Sequence, residues 1–138
     1  QGFKTTVITD NMVAWTMSQK DIDLFTSAAD TICMDGYIVN KVGTLQIAIL
    51  CKHFGIPYFV TGIPDVDKLK KDIIIEERNP NEVLEFNNLK NTLNGVEAYY
   101  PAFDITPPYL INGVVTDKKI FSPYNLDEYF KDEVEQYY

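Results

Sequence analysis

The chain is short of the residues that build most metal and cofactor sites. Two cysteines and one histidine in 138 residues are too few for a zinc cluster, and none of them has zinc spacing. Cys33 and Cys51 cannot make a disulfide framework and read as reduced, buried thiols. Basic residues are outnumbered, twelve Lys and Arg against twenty Asp and Glu, for a formal charge of −8. That balance lacks the electrostatic footprint of a nucleic-acid or anionic-membrane binder, so neither partner is expected. No apolar run approaches the length needed to span a bilayer, and no signal peptide opens the chain. Glycine-rich phosphate cradles are missing too: there is no GxGxxG and no GxxxxGK[ST]. A GxSxG nucleophile elbow does not occur either. With no such motif, no metal and no cofactor are expected, and the compartment expected is the cytoplasm.

What is present is a folded protein's composition: 46% hydrophobic and 13% aromatic, with only seven glycines and seven prolines. A chain of this size can bury one hydrophobic core, and no internal repeat or linker divides it, so residues 1–138 are expected to form a single domain. The β-branched run at residues 5–9 predicts a strand entering a helix cap at Asp10-Asn11, with Met12 and Trp15 on a helix that stops near Lys20. Residues 22–26 predict a second strand that reaches Ala28-Ala29-Asp30, residues 31–33 have the makings of a short strand, and Asp35-Gly36 is turn chemistry. From Gly43, Ile47, Ala48, Cys51 and Phe54 recur at helical spacing, and Gly55 stands where a helix C-terminal glycine belongs. Residues 58–61 read as a buried strand, residues 73–75 as a short one, and 111–116 as a further one. Asn79-Pro80 has the form of a helix start, residues 86–95 that of a loop, and Thr106-Pro107 that of a short helix's cap. In the tail, Leu126, Tyr129, Phe130 and Val134 share one helical face. Alternating strands and helices with short connections predict an α/β fold: a Rossmann-like three-layer domain, doubly wound, with a mainly parallel sheet. Ligands of such sheets bind beyond the carboxyl ends of the strands.

The residues just after the strands are therefore the candidates. Asp30 ends an apolar strand, where a carboxylate is a helix cap, a loop acceptor or a catalytic acid. Asn40-Lys41 stands before a good helix with Gly43 and Thr44 at its opening. A helix N-terminus offers unpaired N–H groups, and the lysine adds a full charge, which suits a phosphate or polyol. The alternative is a solvated lysine and a threonine that only caps. His53 reads as a surface residue, and Cys51 and Cys33 as core. Glu76 and Glu77, being adjacent on a strand, face opposite ways, so a salt bridge to Arg78 is the expected role. Asp65 and Asp67, among lysines, read as a solvated loop. Asp104, ahead of two prolines, reads as turn chemistry or an interface contact.

At these motifs the sequence resembles a known family. Ala28-Ala29-Asp30, Asp35-Gly36, Asn40-Lys41-Val42-Gly43-Thr44, Gly55-Ile56-Pro57-Tyr58, Ile75-Glu76-Glu77-Arg78-Asn79-Pro80 and Pro101-Ala102-Phe103-Asp104-Ile105-Thr106-Pro107 occur in family order and spacing. They are similar to the C-terminal domain of the methylthioribose-1-phosphate isomerases. Those enzymes are grouped with ribose-1,5-bisphosphate isomerase and the alpha, beta and delta subunits of translation initiation factor 2B. The resemblance runs from about residue 5 to about residue 120. It implies aldose–ketose isomerisation of a sugar 1-phosphate in methionine salvage, with Asp30 as catalytic proton donor and Asn40 and Lys41 as substrate-binding residues. It also implies a homodimer formed through this domain. The family's catalytic cysteine, an Arg-Gly phosphate loop and a substrate glutamine lie upstream of the matching segment, so this chain alone is expected to be inactive. Three neighbours depart from the family pattern: Ala28 for the usual Gly, Thr31 where Arg is frequent, and Tyr37 at a position usually acidic. The alternative is a non-catalytic binding or assembly module of the initiation-factor type, or an isomerase for another ribose 1-phosphate derivative.

Overall fold

The computed structural model describes residues 2–131. Residues 2–9 are exposed throughout and reach a short 3-10 turn at Asp10–Met12, which leads into helix α1 (Val13–Gln19). The strand expected over residues 5–9 does not form. β-Branched residues favour strands because they pack on a half-buried pleated surface, and this run has no neighbouring strand to supply one. Strand β1 (Phe25–Ala28) starts three residues later than expected and ends at Ala28, where the expected strand reaches Ala28-Ala29-Asp30. A backbone bond from Phe25 N–H to the Pro57 carbonyl fixes its start.

Next come β2 (Thr31–Ile32) and β3 (Ile38–Lys41), joined through the expected Asp35-Gly36 turn. Gly36 has φ +83, and a Cβ there would stand 2.3 Å from the Pro123 carbonyl oxygen, so the turn admits only glycine. Helix α2 (Thr44–Phe54) follows the expected spacing and buries Thr44, Ala48 and Cys51. It ends at Gly55 in the left-handed region (φ 72), where the Gly55 and Ile56 amides both donate to the Cys51 carbonyl. Strand β4 (Tyr58–Thr61) then crosses the core.

Residues 62–101 form a long excursion with a 3-10 turn at Lys70–Asp72, a one-turn helix α3 (Asn81–Leu84) and a hairpin of β5 (Glu85–Phe86) and β6 (Leu89–Lys90). The strand expected at residues 73–75 is absent, with Ile74 94% exposed. The hairpin replaces an expected loop. Asn87 and Asn88 both take positive φ (50 and 62), the conformation a two-residue hairpin turn demands. Beyond it run β7 (Phe103–Thr106), a 3-10 turn at Pro108–Leu110, β8 (Gly113–Val115), β9 (Ile120–Phe121) and α4 (Glu128–Lys131). Thr106 closes β7 rather than capping, and the helical turn starts one residue later than expected. In the tail Leu126 and Tyr129 are buried and Phe130 packs against them, as the pattern predicts; Val134 lies outside the described residues.

Two sheets result. One is mainly parallel, with order β1-β4-β8-β9, β1, β4 and β8 running parallel and β9 antiparallel at the edge. This is the Rossmann-like α/β arrangement expected. The other, antiparallel and unforeseen, has order β2-β3-β7. Its strands are two to four residues long, too short to show a period. The core lies between helix and sheets and includes Ile32, Ile38, Ala48, Cys51, Tyr58 and Val114. Each large apolar side chain buried there contributes about 1.5–3 kcal/mol. Tyr58, fully buried, hydrogen-bonds its hydroxyl with Ser27 at 2.7 Å and lies 4.6 Å from the Phe25 ring.

Candidate functional site

The parallel strands end together: Ala28 stands opposite Thr61, and Thr61 opposite Val115. Asp30 follows β1 by two residues. Its amide donates to the Val39 carbonyl at 2.9 Å, so β3 holds the chain as it turns into β2. The register of β2 on β3 pairs Thr31 with Val39, so Asp30 stands just outside this ladder, held against Val39, the residue before Asn40. On the other side of β3, Asn40 pairs with Asp104 and Lys41 with Phe103. Asp30 is thus bonded to the residue next to Asn40, and Asn40 lies beside Asp104 on the adjoining strand. The sequence marks the first two separately; their adjacency comes from the antiparallel sheet. The Asp30 side chain is exposed, so the shielding from water that favours a general acid is not furnished by residues 2–131.

The turn from β3 into α2 is bonded at every polar residue. Asn40 Nδ2 donates to Thr44 Oγ1 at 3.0 Å, and Thr44 Oγ1 donates to the Lys41 carbonyl at 2.8 Å. Gly43 adopts φ +108, where a side chain would be strained. Its amide donates to Asp104 Oδ2 at 2.7 Å, and the Leu45 amide donates to both oxygens of the same carboxylate at 3.1 Å. Asp104 was expected to serve a turn or an interface; it caps the start of α2 instead. Burial pushes its carboxyl above the ordinary value, with the Leu45 and Gly43 amides acting against that shift. The anion seat expected at Gly43 and Thr44 thus already holds an internal carboxylate. Lys41 is exposed, and its Nζ lies 4.3 Å from the centroid of the Phe103 ring. An open hollow of about 380 Å³ beside this corner is lined by Val42, Gly43, Leu45, Ile49 and Asp104. A second, of about 230 Å³ beside Pro57 and Asn112, opens at the other end of β4 and β8, away from the strand ends where such sheets bind ligands.

The remaining candidates fall where their chemistry predicts. Cys33 and Cys51 are buried free thiols, each pushed up to about 11 by burial, with Asp35 and Asp65 adding to the shift at Cys33. Neither is a thiolate at neutral pH, so neither is an activated nucleophile. His53 is exposed on α2, edge-on to Phe54. Glu76 pairs with Arg78 at 3.4 Å. Among the described residues, no group of three or more His, Cys, Asp or Glu side chains is placed to hold a metal ion. No described helix is long and apolar enough to cross a membrane. Phe103 and Asp104 escaped the sequence reading as contributors to this corner, because each acts on a residue about sixty positions earlier in the chain.

Residues 1–123 match the Initiation factor 2 subunit family. A Bacillus pumilus protein named methylthioribose-1-phosphate isomerase is 46% identical over 125 residues, covering 88% of this chain and 35% of its own length. A Clostridium botulinum protein named 5-deoxyribose 1-phosphate isomerase is 44% identical over 126 residues, 88% of this chain and 36% of its own. The crystal structure of 5-methylthioribose 1-phosphate isomerase from Pyrococcus horikoshii superposes with a TM-score of 0.85 at 36% identity. It covers 95% of this chain and 38% of that one. The chain therefore spans only 35–36% of the length of those two relatives. The match takes in both sheets and the whole corner from Asp30 to Asp104, and by it this chain belongs to the Initiation factor 2 subunit family.

Proposed function

We propose that this chain, as one α/β domain, supplies the C-terminal half of the site of a sugar 1-phosphate isomerase. The substrate proposed is 5-methylthioribose 1-phosphate, converted to 5-methylthioribulose 1-phosphate in methionine salvage. A 1-phosphate blocks spontaneous opening of the sugar ring. Asp30 donates a proton to the ring oxygen as the C1–O bond breaks, hydrogen moves from C2 to C1, and the C2 hydroxyl proton returns to the carboxylate. Lys41 and Asn40 receive the phosphate and sugar, and Gly43 and Thr44 frame the turn that presents them. The observation that carries this reading is the bond from the Asp30 amide to the Val39 carbonyl, which holds Asp30 within one residue of Asn40, with Lys41 next in β3.

The exposure of Asp30 supports a site completed by other residues, so the chain alone turns over little or no substrate. The enzyme proposed is cytoplasmic and homodimeric through this domain. Calorimetric titration with methylthioribose 1-phosphate, with Lys41→Ala as control, tests the reading. Saturable binding that the substitution abolishes supports it. No binding by a folded chain, together with binding by a full-length relative that the counterpart of Lys41→Ala leaves unchanged, favours an assembly module of the initiation-factor kind. The relative named for 5-deoxyribose 1-phosphate favours titrating that sugar in parallel, as the second candidate substrate.

A further inference from the structure

The start of α2 is where backbone amides near this corner would ordinarily receive an anion. In this chain the Asp104 carboxylate already accepts from Gly43 and Leu45 there. A phosphate approaching the helix start therefore meets a like charge, while the cation within reach is Lys41. Asn40 already uses its amide group on Thr44. The ammonium of Lys41 in turn lies on the Phe103 ring. Two consecutive residues of β7 thus act on the end of β3 and the turn after it: Phe103 on Lys41, and Asp104 on Gly43 and Leu45.

We propose that Asp104 and Phe103 are positioning residues for the phosphate contact, Asp104 by closing the α2 start to ligand anions and fixing the turn, Phe103 by holding the Lys41 ammonium. The inference rests on the sugar-phosphate reading above and assigns the phosphate to Lys41 rather than to the helix start. A flexible lysine on an exposed strand end samples many rotamers; an aromatic face that favours one of them, on a turn that cannot relax, leaves less freedom to lose on binding.

The test is nuclear magnetic resonance of the 138-residue chain, titrated first with inorganic phosphate and then with methylthioribose 1-phosphate. The expected wild-type result is a set of Lys41 ε-methylene signals displaced upfield by the Phe103 ring. Phosphate should then move the Lys41 signals and leave the Gly43 and Leu45 amides in place. Phe103→Leu abolishes the displacement with the cap intact. Asp104→Ala reduces it and lets phosphate shift the Gly43 and Leu45 amides, while Asp104→Asn, which keeps an acceptor oxygen, restores the Lys41 signature. Either loss weakens sugar-phosphate affinity roughly tenfold. Unchanged Lys41 signals in folded Asp104→Ala and Phe103→Leu overturn the proposal, as do wild-type Gly43 and Leu45 amides that follow phosphate. If Asp104→Ala does not fold, Phe103→Leu and the wild-type phosphate titration decide alone. Phosphate shifts as expected without any binding of methylthioribose 1-phosphate support the positioning roles and count against the substrate reading.

Discussion

Residues 102–115 and residues 65–101 both carry apolar side chains, yet they behave as opposites. In the first segment Ala102, Thr106, Pro108, Leu110, Ile111, Gly113 and Val114 are buried; in the second no residue is. The second holds Ile74, Val83, Phe86, Leu89, Leu93 and Val96, which are exposed, and Ile73 and Ile75, which are half-buried. The difference lies in strand partners. Residues 103–115 contribute β7 to the antiparallel sheet and β8 to the parallel one, and so join the two. The excursion pairs mostly with itself, through the β5–β6 hairpin. It is tied to the body where it begins and ends: Asp65 N–H donates to the Ile32 carbonyl, Met34 N–H to the Lys68 carbonyl, the Lys70 amide to the Asp35 carboxylate, and Ala102 N–H to the Glu76 carbonyl. A hydrophobic run goes inside only where a neighbouring strand gives it a face to cover.

The contrast can be broken or sharpened by substitution, with denaturant unfolding as the common measurement. Ile111→Ala, in the joining segment, should cost about 2–5 kcal/mol, as removal of a buried side chain does. Gly113→Ala should cost about 1–3 kcal/mol by overpacking. The added Cβ would stand 2.8 Å from Ile120 Cγ2 and 3.1 Å from the Phe59 ring. Asp104→Ala removes a cap and should cost about 1 kcal/mol. Asp104→Asn carries a pH signature. Burial raises the Asp104 carboxyl above 3.8, so the folded chain holds that proton more readily than the unfolded one. Relative to Asp104→Asn, the wild type should be most stable at or below that value and lose stability as pH climbs through the interval just above it. Thermal melts of the pair across mildly acidic pH check the sign. Ile74→Ala, in the excursion, should change stability by no more than about 0.5 kcal/mol. A loss as large as that of Ile111→Ala would show that this isoleucine is covered in solution, and the contrast would fall.

Elements whose signals are local were legible in the sequence. Helix α2, its terminal Gly55, strand β4, the Asp35-Gly36 turn and the two core thiols all follow from neighbours within a few residues. The sheet β2-β3-β7 was not, because strands of two to four residues carry no periodicity and their pairing is settled elsewhere in the chain. Residues 5–9 show the converse: strong β-branching with nothing to pair against. The Asn87-Asn88 turn did have a readable signal, since asparagine tolerates positive φ. At the candidate site Asp30, Asn40 and Lys41 were named individually. What brings Asp30 to the end of β3 is the β2–β3 pairing, and what closes the helix start beside Asn40 and Lys41 is Asp104, whose acidic side chain looked like one more turn residue.

The cap that Asp104 places on α2 also sets an order in time. The Gly43 amide waits for a carboxylate 61 residues further along. On a ribosome adding 5–20 residues per second, that is a delay of roughly 3–12 s. Throughout that interval α2 can form, while the turn carrying Asn40 and Lys41 has neither its strand partner nor its cap. The corner read as the ligand-binding one is thus finished only after the 61 residues that follow Gly43 have been made.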